Sequence, residues 1–365
     1  AVASTGGAIM PPMMGSSTFI IAATLGVQYI DIALCALIPA LLYYLALFFM
    51  VDFRAAKMGL KPLDASQIPK LWSVLKRGGQ LAIPLILIVV LLAVGRTAAY
   101  SALMSTLVLI LITFMRKWTR MSGKRLIKAM FKGVTDTSKV SVTAGIAGLI
   151  VGGVSISGVA LIFAQQISDL SGGMLWLALI LVAVVSLVLG CGMTSAAVYI
   201  TVATIMAPAL IQMGVVPIAA HMFVFYFGII GTITPPVALT AYTAAGISGA
   251  SPRDTGWTAF RLGAAGYIVP FMFAYGPALL CQGTILEILT AFVTATFGIW
   301  MMAGAPEGWL FTKANLVERA LMVAAALCTI IVGSMTDVIG LGIGAAVIVM
   351  QMARKKAKSP VEAGE

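Results

Sequence analysis

The sequence predicts an all-α polytopic membrane protein built from inverted repeats, with a re-entrant hairpin and broken helices. Hydrophobic residues make up 61% of the chain, charged residues only 10%, and the mean hydropathy is +1.07. A soluble domain carries about 25% charged residues. The pattern G-x-I-x-P-P occurs twice within apolar sequence, at residues 7–12 and 231–236. The basic residues that give the net charge of +11 lie in short loops between apolar segments, and this placement excludes a nucleic-acid-binding protein.

Each Pro-Pro pair interrupts a helix inside a segment that is apolar enough to be embedded in a membrane. Proline lacks a backbone N–H, and its ring clashes with the preceding helical turn. The carbonyls freed in this way cost several kcal/mol each in hydrocarbon, so such a break is tolerated only where protein or a water-filled cavity satisfies them. Paired, Pro-interrupted apolar segments in corresponding places are typical of the binding site of a secondary transporter built from repeats.

The first part of the chain divides into two regions. Residues 1–52 hold the end of a first repeat, with a broken helix followed by a span at about 29–52. Residues 53–139 contain two basic loops, 53–79 and 116–139, on either side of a helix pair. The two helices of that pair are expected at about 81–95 and 97–116.

The remaining chain also divides into two regions. Residues 140–280 form a second repeat, in which the small polar cluster at residues 190–196 favours a re-entrant hairpin at about 174–213. A broken helix follows at about 215–249. Residues 281–365 contribute C-terminal helices and a basic tail. The other spans of the two regions are expected at about 141–167, 257–280, 284–304, 317–334 and 337–352.

The distribution of basic residues predicts the orientation of these spans. If both basic loops and the tail are cytoplasmic, all 23 Lys and Arg residues except Arg96 lie inside, as the positive-inside rule requires. The helix after the first break then runs inward, and the span at 257–280 runs outward. The two breaks therefore have opposite topology, and the C-terminus is cytoplasmic.

The position of the hairpin predicts that an N-terminal half of the same permease precedes this chain. In the second repeat the hairpin tip precedes its break by about forty residues. The same spacing places the hairpin of the first repeat upstream of residue 1.

Small and hydroxyl-bearing residues surround the second break and the hairpin tip. Oxygen ligands at helix ends suit a small hard cation, and half-helix N-termini suit a carboxylate. The alternative is that these residues only permit close helix packing, as small residues do in membranes. The inverted repetition favours a cation site. The predicted cation-binding residues are Gly190, Gly192, Thr194, Ser195, Gly231, Thr232, Thr234, Pro235 and Val237.

The first break is expected to supply the other half of the site. Ser16, Ser17 and Thr18 follow its prolines and add further hydroxyls. The predicted substrate-binding residues are Ser4, Thr5, Gly7, Pro11, Pro12 and Pro236.

His221 is the only histidine, and it precedes the second break by ten residues. An intramembrane ionisable group is a functional candidate, here as a proton relay. A neutral histidine hydrogen-bonded to a neighbouring helix is the interpretation that we favour. The four cysteines lie singly in apolar stretches, which indicates small core residues rather than disulfides or metal ligands.

No motif predicts an enzyme, a cofactor or a metal site beyond a transported Na⁺. An intramembrane enzyme needs paired Asp, Glu or His residues at depth, and the spans contain none. A channel does not need two inverted breaks with separate hairpins, but it remains an alternative, as does a structural membrane subunit without transport of its own.

Several stretches carry a resemblance to a known family. Residues 3–15 read ASTGGAIMPPMMG, residues 219–227 read AAHMFVFYF, residues 232–239 read TITPPVAL, and residues 244–250 read AAGISGA. They resemble the fused membrane subunit of TRAP transporters, the tripartite ATP-independent periplasmic type, in the branch served by TAXI binding proteins. The likeness covers most of residues 1–280.

The resemblance implies an elevator-type permease of a bacterial inner membrane that takes a carboxylate substrate from a periplasmic solute-binding protein. It also implies coupling to Na⁺ or H⁺. The hairpin tip of the family usually reads GMPTTAAY, whereas residues 192–199 read GMTSAAVY. The family proline is replaced by Thr194 and its second threonine by Ala196. Ligation at the tip is therefore expected from the backbone around Gly192 rather than from the side chain at position 196.

Overall fold

The computed structural model describes residues 1–12, 14–61, 64, 66–116, 118–191, 193, 195–330 and 334–358. These residues form α-helices joined by short 3-10 turns, and no β-strand occurs among them. Within the described residues, five helical segments are long and apolar enough to cross a membrane: Tyr29–Lys57, Leu71–Ala93, Ser195–Gln212, Ile285–Glu307 and Met335–Lys355. The segment Leu71–Ala93 consists of two α-helices joined by a 3-10 turn. The prediction of an all-α polytopic membrane protein is confirmed.

The first repeat and the helix pair contribute six helices. Two short helices flank the first Pro-Pro pair, and a long helix with Pro39 in its interior follows them. Their bounds are α1 Val2–Gly6, α2 Ser16–Leu25, α3 Tyr29–Lys57, α4 Leu71–Gly78, α5 Ile83–Ala93 and α6 Ala98–Thr113. The helix α3 is central, because α1, α2, α5 and the later helices Val269–Tyr275 and Ile285–Glu307 all pack against it.

The second repeat contains a hairpin and a broken helix. Two further helices precede the hairpin and meet at Gly158, which has a φ of +68°. The bounds are α7 Gly123–Ser157, α8 Val159–Leu170, α9 Leu175–Gly190, α10 Ser195–Gln212, α11 Pro217–Ile230 and α12 Leu239–Ser248. Nearly every side chain of α11 is buried, including Phe223, Phe225 and Phe227. A helix that is apolar on all sides belongs in the middle of a bundle.

The segment expected as one span at 257–280 differs from that prediction. It forms four short pieces: α13 Pro252–Leu262, a 3-10 turn Ala264–Tyr267, α14 Val269–Tyr275 and a 3-10 turn Pro277–Leu280. Gly263 and Gly266 lie within this interrupted stretch, where side chains of other elements approach the backbone closely. A Cβ at Gly263 would lie 2.9 Å from the Ile233 side chain, and one at Gly266 would lie 2.7 Å from the Tyr43 ring.

The basic loop expected at 116–139 also differs. The helix α7 begins at Gly123, and the Ser122 hydroxyl caps it by accepting a hydrogen bond from the Arg125 N–H. Most of this charged stretch is therefore helical.

The C-terminal helices are α15 Ile285–Glu307, α16 Leu316–Cys328 and α17 Ser334–Lys358. They form a second apolar core with the end of α3, in which Met50 and Phe53 meet Met301 and Met322. The buried carboxylate of Glu318 joins α16 to α17, because it pairs with Arg354 and accepts a hydrogen bond from Gln351 at 3.1 Å.

Candidate functional site

The second break begins where α11 ends at Ile230. A 3-10 turn, Gly231–Ile233, precedes Pro235 and Pro236, which are joined by a cis peptide bond. The Thr232 hydroxyl donates to the Ile229 carbonyl at 2.7 Å, and the Thr234 hydroxyl donates to the Ile230 carbonyl at 2.8 Å. Both predicted threonines therefore donate to backbone carbonyls in the last turn of α11.

Tyrosine hydroxyls hold the rest of the second break. Tyr267 is hydrogen-bonded to the Thr234 hydroxyl at 2.7 Å. Tyr242 donates to the Pro236 carbonyl at 2.6 Å. Sequence reasoning missed both tyrosines, although a tyrosine in an apolar segment has an O–H that needs a partner.

The first break is held in the same way. Its prolines, Pro11 and Pro12, are also joined by a cis peptide bond. Tyr29 donates to the Pro12 carbonyl at 2.8 Å, so the carbonyl of the second proline accepts from a tyrosine in both breaks. Tyr43 and Tyr44 of α3 donate to the carbonyls of α1, at Val2 and Ala3, over 2.9 and 3.0 Å.

The first arm of the hairpin packs backbone to backbone against the broken helix. A Cβ at Gly190 would lie 2.6 Å from the Gly228 carbonyl oxygen. One at Gly231 would lie 3.0 Å from the Leu187 carbonyl oxygen. The predicted residues Gly190 and Gly231 thus lie together, and the contact leaves no space for a side chain at either position.

The second arm of the hairpin meets the first break. A Cβ at Gly15 would lie 3.3 Å from the Ser195 hydroxyl oxygen. Ser195, predicted to serve the second break, therefore also borders the first, and the two repeats meet at the start of α10. The other predicted tip residues, Gly192 and Thr194, lie outside the described residues.

Two hydroxyls at the start of α2 are buried without a hydrogen-bond partner. Ser17 and Thr18 are both fully buried, and neither side-chain oxygen has a partner in the described part of the chain. Most buried polar side-chain atoms have a partner, so such an exception calls for an explanation. A cation bound to the two hydroxyl oxygens is one such explanation.

The remaining predicted residues have different surroundings. Ser4 lines a cavity of about 350 Å³ with Thr240 and Thr243, which follow the second break. Thr5 donates to the Ala1 carbonyl at 3.2 Å, so its proton is used within α1. Gly7 is exposed, and Val237 is half-buried.

A second cavity of about 350 Å³ lies directly against the second break. Pro235 and Pro236 form part of its wall, together with Tyr242, Arg253 and Trp257. Sequence reasoning did not select Arg253 as a site residue, because the residue precedes the expected span. Its guanidinium is a carboxylate-binding group next to the predicted Pro236.

His221 is hydrogen-bonded to a neighbouring helix, as in the interpretation that we favour. Its Nδ1 lies 2.8 Å from the Tyr199 hydroxyl of α10. Both residues line a cavity of about 360 Å³ that also borders Thr24 and Thr204. Among the described residues, no group of three His, Cys, Asp or Glu side chains is placed to hold a metal ion.

Comparison with known proteins agrees with this geometry. The family described as the tripartite ATP-independent periplasmic transporter, DctM component, matches residues 1–288. The match covers both breaks and the hairpin and ends near the start of α15. No curated protein matches the chain. The chain therefore belongs to the DctM family and is a permease component of a TRAP transporter.

Proposed function

We propose that this permease imports an organic carboxylate by cation-coupled secondary transport. In this proposal the solute is delivered by a periplasmic binding protein of the TAXI type. The observation that carries the proposal is the meeting of the hairpin with both breaks, at Gly190–Gly228 and at Ser195–Gly15. A hairpin that touches both breaks can transmit the occupancy of one to the other.

The cation site is proposed at the second break, around Thr232 and Thr234. The Thr234 hydroxyl has one proton, which it donates to the Ile230 carbonyl, and one lone pair accepts from Tyr267. One lone pair of the Thr234 oxygen is therefore left for a cation. The Thr232 oxygen also has a lone pair available. A second cation position beside the first break is supported by Ser17 and Thr18, whose buried hydroxyls have no hydrogen-bond partner among the described residues.

The substrate carboxylate is proposed to bind between the breaks. A cavity between Ser4 and α12 supports this placement, and a second cavity, lined by Arg253 beside Pro236, borders the second break. Hydroxyls and a guanidinium are groups that bind a carboxylate through hydrogen bonds. In this proposal, release of the carboxylate requires the hairpin to separate from one of the breaks.

The test is uptake by the full-length permease in proteoliposomes. Carboxylates are supplied with the binding protein outside, and Na⁺ and pH gradients are imposed separately. We expect uptake only with one inward cation gradient and with the binding protein present. Uptake at equal rate without any gradient would support the channel alternative and contradict the proposal.

A further inference from the structure

Positive charge is concentrated between Asp64 and Asp136. The stretch between these two aspartates contains eleven Lys and Arg residues and no Asp or Glu. The basic residues are Lys70, Lys76, Arg77, Arg96, Arg116, Lys117, Arg120, Lys124, Arg125, Lys128 and Lys132. In the described part of the chain, no salt bridge joins Lys76, Arg77 or Arg116 to a carboxylate.

The hairpin of α5 and α6 spaces these charges across a bilayer. Arg96 lies at its turn, and Arg77 and Arg116 lie 19 and 20 residues away along its two arms. At about 1.5 Å per residue, each arm is roughly 30 Å long, which is the thickness of the hydrocarbon core. The arms expose apolar side chains, among them Ile86, Val90, Leu103 and Leu107. With Arg96 at one membrane surface, this length would place Arg77 and Arg116 at the level of the lipid headgroups on the other.

Arg77 and Arg116 lie together at the end of the hairpin. The Arg116 guanidinium donates to the Arg77 carbonyl at 3.4 Å. The Arg77 guanidinium lies over the Trp118 ring at 5.8 Å, and the Lys76 ammonium lies over the Trp72 ring at 5.7 Å. Tryptophan is enriched at membrane–water interfaces, which agrees with this depth. We call these five residues the cationic hairpin end.

The first turns of α7 follow the hairpin in the chain and are themselves amphipathic. Ile127, Met130, Phe131 and Val134 follow helical spacing, and each is more than half exposed. The basic side chains lie on an adjoining face of the helix, at Lys124, Lys128 and Lys132. A helix with one apolar face and one basic face binds in the interface plane of an anionic bilayer.

We propose that the cationic hairpin end binds the headgroups of anionic phospholipids, and that the basic face of α7 extends this site along the membrane surface. Guanidinium groups bind phosphate oxygens in a bidentate manner. A zwitterionic headgroup carries its own cation beside the phosphate, which opposes binding at a cluster of Lys and Arg. The site thus selects a net negative headgroup such as that of phosphatidylglycerol.

The test is native mass spectrometry of the full-length permease, titrated with phosphatidylglycerol or phosphatidylcholine in detergent. We expect the parent protein to retain phosphatidylglycerol in preference to phosphatidylcholine. The double variant Arg77→Gln/Arg116→Gln should bind it roughly 30-fold more weakly, since each basic residue at a membrane surface contributes about 1 kcal/mol. The variant Arg77→Lys/Arg116→Lys keeps both charges and should keep most of the affinity.

Arg96→Gln is the matched control. Arg96 lies over the Tyr100 ring at 5.8 Å, so it is also an arginine stacked on an aromatic ring, but at the opposite end of the same hairpin. The Arg96→Gln variant should leave phosphatidylglycerol binding unchanged. Equal retention of both lipids by the parent, or an equal loss in Arg96→Gln and the double variant, would overturn the proposal. If the double Gln variant does not fold, Lys124→Gln/Lys128→Gln/Lys132→Gln removes three exposed charges, and unchanged binding there would be contrary to the proposal.

Discussion

Tyrosine hydroxyls and threonine hydroxyls share one task at the two breaks. Each donates to a backbone carbonyl at a break or in the last helical turn before it. A buried carbonyl without a partner costs about 1–3 kcal/mol. These side-chain hydrogen bonds therefore help to stabilise the breaks inside apolar surroundings.

The variant Thr234→Val tests the proposed cation site at constant side-chain volume. Loss of the hydroxyl removes one oxygen ligand, worth about 1–2 kcal/mol. We expect the cation concentration for half-maximal uptake to rise about five- to thirtyfold, with membrane expression retained.

Thr290→Val is its control, because Thr290 makes the same hydrogen bond to the Leu286 carbonyl, at 2.9 Å, on the exposed surface of α15. This variant should keep the cation dependence of the parent. If Thr234→Val also keeps it, the cation is bound elsewhere and Thr234 only stabilises the break.

At the scale of the element, the residue types within a segment predicted the breaks and the hairpin. They did not predict the hydrogen bonds that hold the breaks to other helices. Proline and glycine act on their own backbone, so residues 231–236 indicate a broken helix without knowledge of any partner. The bonds from Tyr29 and Tyr43 depend on side chains that reach residues 17 and 41 positions away. No local pattern carries that information.

The breaks within 257–280 were missed for a related reason. Glycines such as Gly263 and Gly266 are tolerated inside helical patterns, so the sequence did not reveal the interruptions. In the folded chain the Ile233 and Tyr43 side chains lie so close to these two glycines that a Cβ would not fit. The contact with Tyr43 joins the two repeats, so it exists only in the folded molecule. The basic charges of 116–139 had a different effect, since they suggested a loop and obscured the cap at Ser122.

Gly190→Ala tests the contact between the hairpin and the broken helix. The added Cβ would meet the Gly228 carbonyl oxygen, and overpacking of this kind costs about 1–3 kcal/mol. We expect a lower melting temperature and reduced uptake. Gly246→Ala, in α12, is the control because a Cβ there meets no atom within 4 Å. Equal melting temperatures and uptake for the two variants would show that the contact is not needed.

At the scale of the whole molecule, the family match and the fold divide the chain differently. The match ends at residue 288, yet α15 continues to Glu307 and packs along α3. Arg54 pairs with the Glu307 carboxylate at 3.8 Å, and Lys57 donates to the Glu307 carbonyl at 2.6 Å. The C-terminal helices are thus fastened to the first repeat.

The orientation of the molecule can be measured with single cysteines in a cysteine-free background. We expect Ala99→Cys to react with a membrane-impermeant maleimide added to intact cells. Ser73→Cys and Lys128→Cys should react only after the membrane is permeabilised, since the positive-inside rule places both basic segments in the cytoplasm. Labelling of the latter two in intact cells would reverse the orientation.

The bonds of Tyr43 and Tyr44 set an order of events during synthesis. They hold α1 from positions 41 residues further along the chain. At about 5–20 residues per second, α1 waits roughly 2–8 seconds at the ribosome before its carbonyls find these hydroxyls. The Tyr43 ring waits longer, because the backbone at Gly266 that packs against it follows 223 residues later. The packing beside the first break is thus completed only after the second repeat has been synthesised.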